Sequence, residues 1–101
     1  MKKILLVCAA GMSTSMLVTK MKQAAEVKGI QVDISATSGH NVDQEVEGVN
    51  VMLLGPQVSF RKGDYEKKFG DKFPIDVINP MDYGMMNGEK VLEQALKLMG
   101  N

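Results

Sequence analysis

The chain has 101 residues, 45% of them hydrophobic and 24% charged, with charges balanced at formal zero; that length holds one domain, residues 1–101, with no room for a second core. Zero net charge argues against nucleic acid or an acidic membrane surface as the main partner, and the absence of Trp beside two Tyr and three Phe argues against a base-stacking platform. A single cysteine can form no internal disulfide and start no zinc or redox pair, which favours a reducing compartment.

The N-terminal MKK followed by ILLVCAA imitates an export signal. The apolar run is too short for a membrane span, and Val7 stands where a lipoprotein site wants a small residue. Residues 3–8 therefore read as a buried strand of a cytoplasmic protein, apolar after Lys3 and covered on both faces. The period then changes. Residues 13–28 read as a helix with Met16, Leu17, Met21, Ala24 and Ala25 on one face and Lys20, Lys22, Gln23 and Glu26 on the other, ended by Gly29. Residues 30–35 alternate like a strand with one wetter face. Residues 36–48 predict a polar loop and one short helix.

A second strand, 49–54, apolar but for Asn50, is stopped by Gly55-Pro56. Residues 58–70 suggest a weaker helix interrupted or frayed at Gly63. Residues 74–78 alternate again before Asn79-Pro80, and 84–88 read as a loop. Val91, Leu92, Ala95, Leu96 and Met99 give the last helix its stripe. The nine methionines read as adaptable core filling.

This alternation predicts an α/β fold, a four-stranded parallel sheet with helices on both faces. The apolar strands belong at its centre and the alternating ones at its edges, giving the order 2-1-3-4. Winding then reverses between strands 1 and 3, and a crevice is expected at their carboxyl ends. Cys8, ending strand 1, should face that crevice.

Ala9, Ala10, Gly11, Met12, Ser13, Thr14 and Ser15 follow it. A loop of small residues can curl its N–H groups into an anion nest, and the helix behind it adds unpaired N–H groups and a positive dipole end. Gly11 permits close backbone approach, and Ser13, Thr14 and Ser15 offer hydroxyls for a cap or for anion oxygens. Donors that hold an anion also stabilise a thiolate, so nucleophile and cradle would be one object, suited to taking a phosphoryl group onto sulfur. The same residues also read as a small core hydrophobe followed by an ordinary helix cap. Neither GxxxxGK[ST] nor GxGxxG occurs, so nucleotide phosphate loops have no support.

Among the remaining residues, His40 reads as a surface residue in the loop after an edge strand. Arg61-Lys62 and Lys67-Lys68 read as a solvated helix face. Pro56, Gln57 and Tyr83 follow strands 3 and 4, so they are expected on the rim of the cysteine edge, shaping loops or touching partners. Met12 would be an apolar docking contact.

Over its full length the chain resembles the enzyme IIB component of the bacterial phosphotransferase system (PTS), lactose/cellobiose class. The resemblance is carried by KKILLVCAAGMSTSMLVTKM, by VMLLGPQV and by VINPMDYGMMNG before the last helix. It implies that phosphohistidine of a partner IIA protein phosphorylates Cys8. The group then passes to a β-linked disaccharide or oligosaccharide, such as cellobiose, held by the membrane transporter IIC. No cofactor or metal is implied, and the chain would work in the cytoplasm, docking on IIC at the membrane.

The chain is also similar to low-molecular-weight tyrosine phosphatases, which share this type of fold and a Cys-x5-Arg loop. Here Thr14 stands at the arginine position and Asn79-Pro80 replaces the acid dipeptide, with Asp82 nearby. Missing both should slow attack by water on a cysteinyl phosphate, which suits a carrier more than a hydrolase. A phosphatase-like hydrolase and a non-catalytic doubly wound binding module are the alternatives.

Overall fold

A computed structural model describes the backbone of residues 1–9 and 11–100 and the side chains of residues 1–9 and 14–100. Strands β1 (Lys2–Cys8), β2 (Val32–Ser38), β3 (Val51–Leu54) and β4 (Ile75–Val77) alternate with helices α1 (Gly11–Lys28), α2 (Val42–Glu45), α3 (Lys62–Phe69), α4 (Pro80–Gly84) and α5 (Gly88–Leu98). The strands form one parallel four-stranded sheet in the order β2-β1-β3-β4, as the apolar and alternating runs predict.

Why the central strands are apolar over Ile4–Cys8 and Val51–Leu54 follows from the two-residue period of the pleat, which buries alternate residues on opposite faces. Ile4, Leu6, Val51 and Leu53 face one core with Leu17, Met21 and Ala25 of α1 and Val91, Leu92 and Ala95 of α5. Leu5, Val7, Met52 and Leu54 face the other side of the same sheet, packing with Val42, Val58, Tyr65, Phe69 and Phe73. The parity that sends Ile4 and Leu6 towards α1 also sends Cys8 there. α5 packs so closely on α1 that a Cβ on Gly88 would stand 2.5 Å from the Lys20 carbonyl carbon and 2.6 Å from the Met21 nitrogen.

Several local expectations are corrected. Residues 11–15 lie in α1, so the segment expected as a loop at 9–15 is mostly the first turns of a helix. β2 runs on to Ser38, because residues 36–38 complete the ladder with Leu6, Val7 and Cys8. The helix expected at 58–70 is a 3-10 segment, Pro56–Arg61, followed by α3. The irregularity sits at Val58 (φ −117, ψ 21), while Gly63 lies inside α3.

The 84–88 loop is instead bounded by two helices. Asn79 starts α4 by accepting the Met81 N–H at 2.9 Å, and Asn87 starts α5 by accepting the Lys90 N–H at 3.1 Å. Met16 is 57% exposed; the inward face of α1 is Thr14, Leu17, Met21 and Ala25. Methionine as core filler is corrected too: Met21 and Met52 are buried, whereas Met1, Met16, Met81 and Met85 are exposed.

Candidate functional site

Cys8 ends β1 beside Ser38 of β2 and is 3% exposed. Across from it Thr14, on the second turn of α1, is 1% exposed, and its hydroxyl meets the Cys8 sulfur in a hydrogen bond in which either atom can donate. A buried threonine hydroxyl needs such a partner, since an unmet one is costly. On the third side, Gly55 donates its N–H to the Val7 carbonyl at 2.8 Å. A Cβ added to Gly55 would stand 3.2 Å from Cys8 Cβ and 2.9 Å from Gln57 Oε1. Any side chain there would crowd the cysteine and displace the Gln57 amide, so glycine suits this close approach.

A cleft of about 360 Å³ reaches Cys8, lined also by Thr14 and Ser15 of α1, by Ala36, Thr37 and Ser38 of β2, and by Asn41 and Glu45. The crevice was expected between β1 and β3. Among the described residues the opening lies instead on the β2 side, and the sulfur is more enclosed than an open crevice implies. On the β3 side the Gly55 backbone closes against Val7 and Cys8. Thr37, Ser38, Asn41 and Glu45 are the residues that sequence reasoning missed. Their signal was the polar run after residue 35, which looks like loop but ends the strand paired with β1.

The other candidates divide. Ala9 is exposed beside Cys8. Ala10 lies outside the described residues, as do the side chains of Gly11, Met12 and Ser13, whose backbone opens α1. The first four N–H groups of a helix have no partner within it, and here they follow Cys8 by three residues. Pro56, Gln57 and Tyr83 do not line the cleft. Gln57 donates from Nε2 to Tyr83 Oη at 3.3 Å, joining the 3-10 segment to α4. His40 is exposed and is not a lining residue, although its neighbour Asn41 is. Being on an edge strand does not remove this loop from the cysteine, because β2 is the direct neighbour of β1.

Asp82 lines a separate hollow with Asn79, Lys90 and Gln94, so the carboxylate present at the cysteine cleft is that of Glu45. No group of three or more His, Cys, Asp or Glu side chains comes together among the described residues, and no described helix is long and apolar enough to cross a membrane. Neutral hydroxyls, an amide side chain and a helix start around one sulfur form a place where an oxyanion can be held without a cation.

A family model described as "PTS system, Lactose/Cellobiose specific IIB subunit" matches residues 3–94. The chain is 46% identical to the oligo-beta-mannoside-specific EIIB component of Bacillus subtilis, over 100% of this chain and 99% of that protein. It is 49% identical to the galactose-specific EIIB component of Lactococcus lactis subsp. cremoris, over 97% of this chain and 96% of that protein. The solution structure of a cellobiose-specific phosphotransferase IIB component from Borrelia burgdorferi superposes with a TM-score of 0.81 at 44% identity, over 99% of this chain and 93% of that one. The match spans every element that builds the cysteine cleft, and the chain belongs to the lactose/cellobiose-specific IIB subunits of the sugar phosphotransferase system.

Proposed function

We propose that Cys8 is the phosphoryl carrier of this IIB subunit. Its sulfur attacks the phosphorus of a phosphohistidine on the partner IIA protein, forming an S–P bond as the P–N bond breaks. A hydroxyl oxygen of a sugar bound by the membrane transporter IIC then attacks phosphorus, forming an O–P bond as the hydroxyl proton is released to solvent, while the S–P bond breaks and the sulfur leaves with the bonding electron pair. Both steps need alignment and fixed dipoles and call for no cofactor. The observation that carries this reading is the buried Thr14 hydroxyl on the Cys8 sulfur, at the head of an 18-residue helix and at the foot of a cleft.

Around the sulfur, the backbone of residues 9–15 forms the cradle for the transferring oxygens. Ala9, Ala10, Gly11, Met12 and Ser13 act through N–H groups, and Thr14 and Ser15 add hydroxyls. Apolar docking contacts come from exposed methionines: Met81 on α4 and Met85 at its C-cap stand four residues apart, and α4 starts from the carboxyl edge of the sheet. Phe60, 74% exposed after β3, extends them. Docking places the subunit on the cytoplasmic face of the membrane.

The relatives' names differ in sugar, while the sugar itself is held by IIC. Selectivity therefore resides chiefly in IIC, and a β-linked disaccharide such as cellobiose is the proposed substrate class. Reconstitution with phosphoenolpyruvate, the two general carriers and a IIA protein, followed by intact-mass measurement, tests the core of this reading. The native chain should gain one phosphoryl group and Cys8→Ser none. A phosphoryl group on Cys8→Ser would move the carrier to another residue.

A further inference from the structure

Across the turn formed by residues 38–41, on the face of the sheet away from α1, lies a second cleft of about 440 Å³. Gly39, Arg61 and Tyr65 meet in it. Tyr65 is 5% exposed, its ring 6.3 Å from that of Phe69, and its hydroxyl has no hydrogen-bond partner among the described residues. Buried hydroxyls are nearly always satisfied, so one left over beside an opening is a group awaiting an acceptor.

The Arg61 guanidinium shares that space. It lies over the Phe60 ring at 5.3 Å from the centroid and is engaged by no carboxylate among the described residues. A Cβ placed on Gly39 would stand 3.4 Å from Tyr65 Oη, 3.6 Å from Arg61 Nε and 3.7 Å from Arg61 Cζ. Phenol and guanidinium thus converge on one volume, which a glycine keeps open. Both are donors, and the guanidinium carries a fixed positive charge.

We propose that Gly39, Arg61 and Tyr65 form a second anion site, for the phosphate or carboxylate group of a small molecule. The rim favours such a ligand. Lys67 adds positive charge, while Lys68 and Asp43 offset one another in an ion pair at 3.0 Å, leaving the Asp64 carboxylate as the opposing group. The donors lie beside a buried phenol in a cavity within the roughly 300–1,000 Å³ range of small-ligand sites, so a small molecule fits better than a flat protein surface. The site is independent of the cysteine relay and can be tested without it.

The test uses the full chain carrying Cys8→Ser, labelled for amide and arginine Nε–H NMR and titrated with inorganic phosphate and, separately, with acetate. Saturable shifts are expected at Gly39 and at Arg61 Nε–H, from phosphate, acetate or both, and the preferred anion identifies the ligand group. Arg61→Gln should raise the dissociation constant about tenfold, the weight of a charge-assisted bond, and Tyr65→Phe about threefold. Gly39→Ala is the stricter variant. Its methyl group would make only ordinary contacts and Gly39 is not among the positive-φ glycines, so the fold should persist while the methyl group occupies the space and binding falls about tenfold. Shifts confined to residues 9–15 and Ser38, or binding undiminished in both Gly39→Ala and Arg61→Gln, would overturn the proposal.

Discussion

Two clefts flank the short turn after β2, and their linings differ in kind. On the α1 side Cys8 is surrounded by hydroxyls, by the Asn41 amide and by the start of a helix, with Glu45 its charged lining residue. On the α3 side the lining includes Arg61, Lys67 and Lys68. The single arginine of the chain has gone to the cleft that lacks the cysteine. Neutral dipoles can hold phosphoryl oxygens in place while leaving the phosphorus no better a target for water than it was. A guanidinium lowers the barrier to any attacking group, water included, because it stabilises charge that develops in the transition state. A carrier must keep its phosphate until the sugar hydroxyl arrives, so the cation belongs elsewhere.

Moving a cation across should erase the difference. Thr14 is the position matching the phosphatase arginine, but it is 1% exposed behind the sulfur, and a guanidinium buried there would destabilise the fold. Ser15 is exposed and lines the same cleft. Ser15→Arg should shorten the lifetime of phospho-Cys8 at least about tenfold, the lower end of an effect that reaches roughly 10³ or more for a well-placed arginine finger. Release of inorganic phosphate from the purified phosphoprotein measures it. An unchanged lifetime would mean that the absence of a cation is not what preserves the intermediate.

A smaller effect is expected from Thr14→Val, which keeps the shape and removes the hydroxyl. Phosphoryl uptake from phospho-IIA should slow about tenfold, the loss of one hydrogen bond to a charged group, while stability changes by no more than about 1 kcal/mol. Rapid-quench kinetics beside a denaturant titration separates the two. Equal losses in rate and in folding would assign the hydroxyl to structure alone.

How much of this arrangement could be read in the residues depended on whether the signal was local. The all-apolar runs at β1 and β3 report burial on both faces, and so they gave strand order without any knowledge of contacts. The position of Cys8 followed from the end of its run. The β2 flank of the cleft did not, because Ala36, Thr37 and Ser38 are strand only through their ladder with Leu6, Val7 and Cys8, and polar residues at a strand end look like loop. Ser13 and Thr14 resemble caps, yet the helix starts at Gly11, and Thr14 is spent on the sulfur. Methionine misled for a different reason: its apolarity is the same whether it fills a core, as Met52 does, or stands in solvent, as Met81 does. The convergence of Arg61 and Tyr65 across the junction of the 3-10 segment and α3 is a tertiary fact with no mark in composition.

The smallest effect should come from the β3–β4 side of the same edge. Gln57 and Tyr83 line neither cleft, and their mutual bond of 3.3 Å is exposed. Tyr83 also packs part of its ring against the α1–α5 core, a contact that Phe preserves. Tyr83→Phe should therefore leave stability within about 0.5 kcal/mol, as surface changes away from special features do. Phosphoryl uptake should keep its kcat, with the KM for phospho-IIA moving less than about twofold, a few tenths of a kcal/mol. A fall in kcat as large as that expected for Thr14→Val would draw Tyr83 into the transfer step. The contrast would then no longer be between a cleft without a cation and one that holds Arg61. It would lie between the two flanks of β1, with the β3 side closing over the sulfur once a partner is docked.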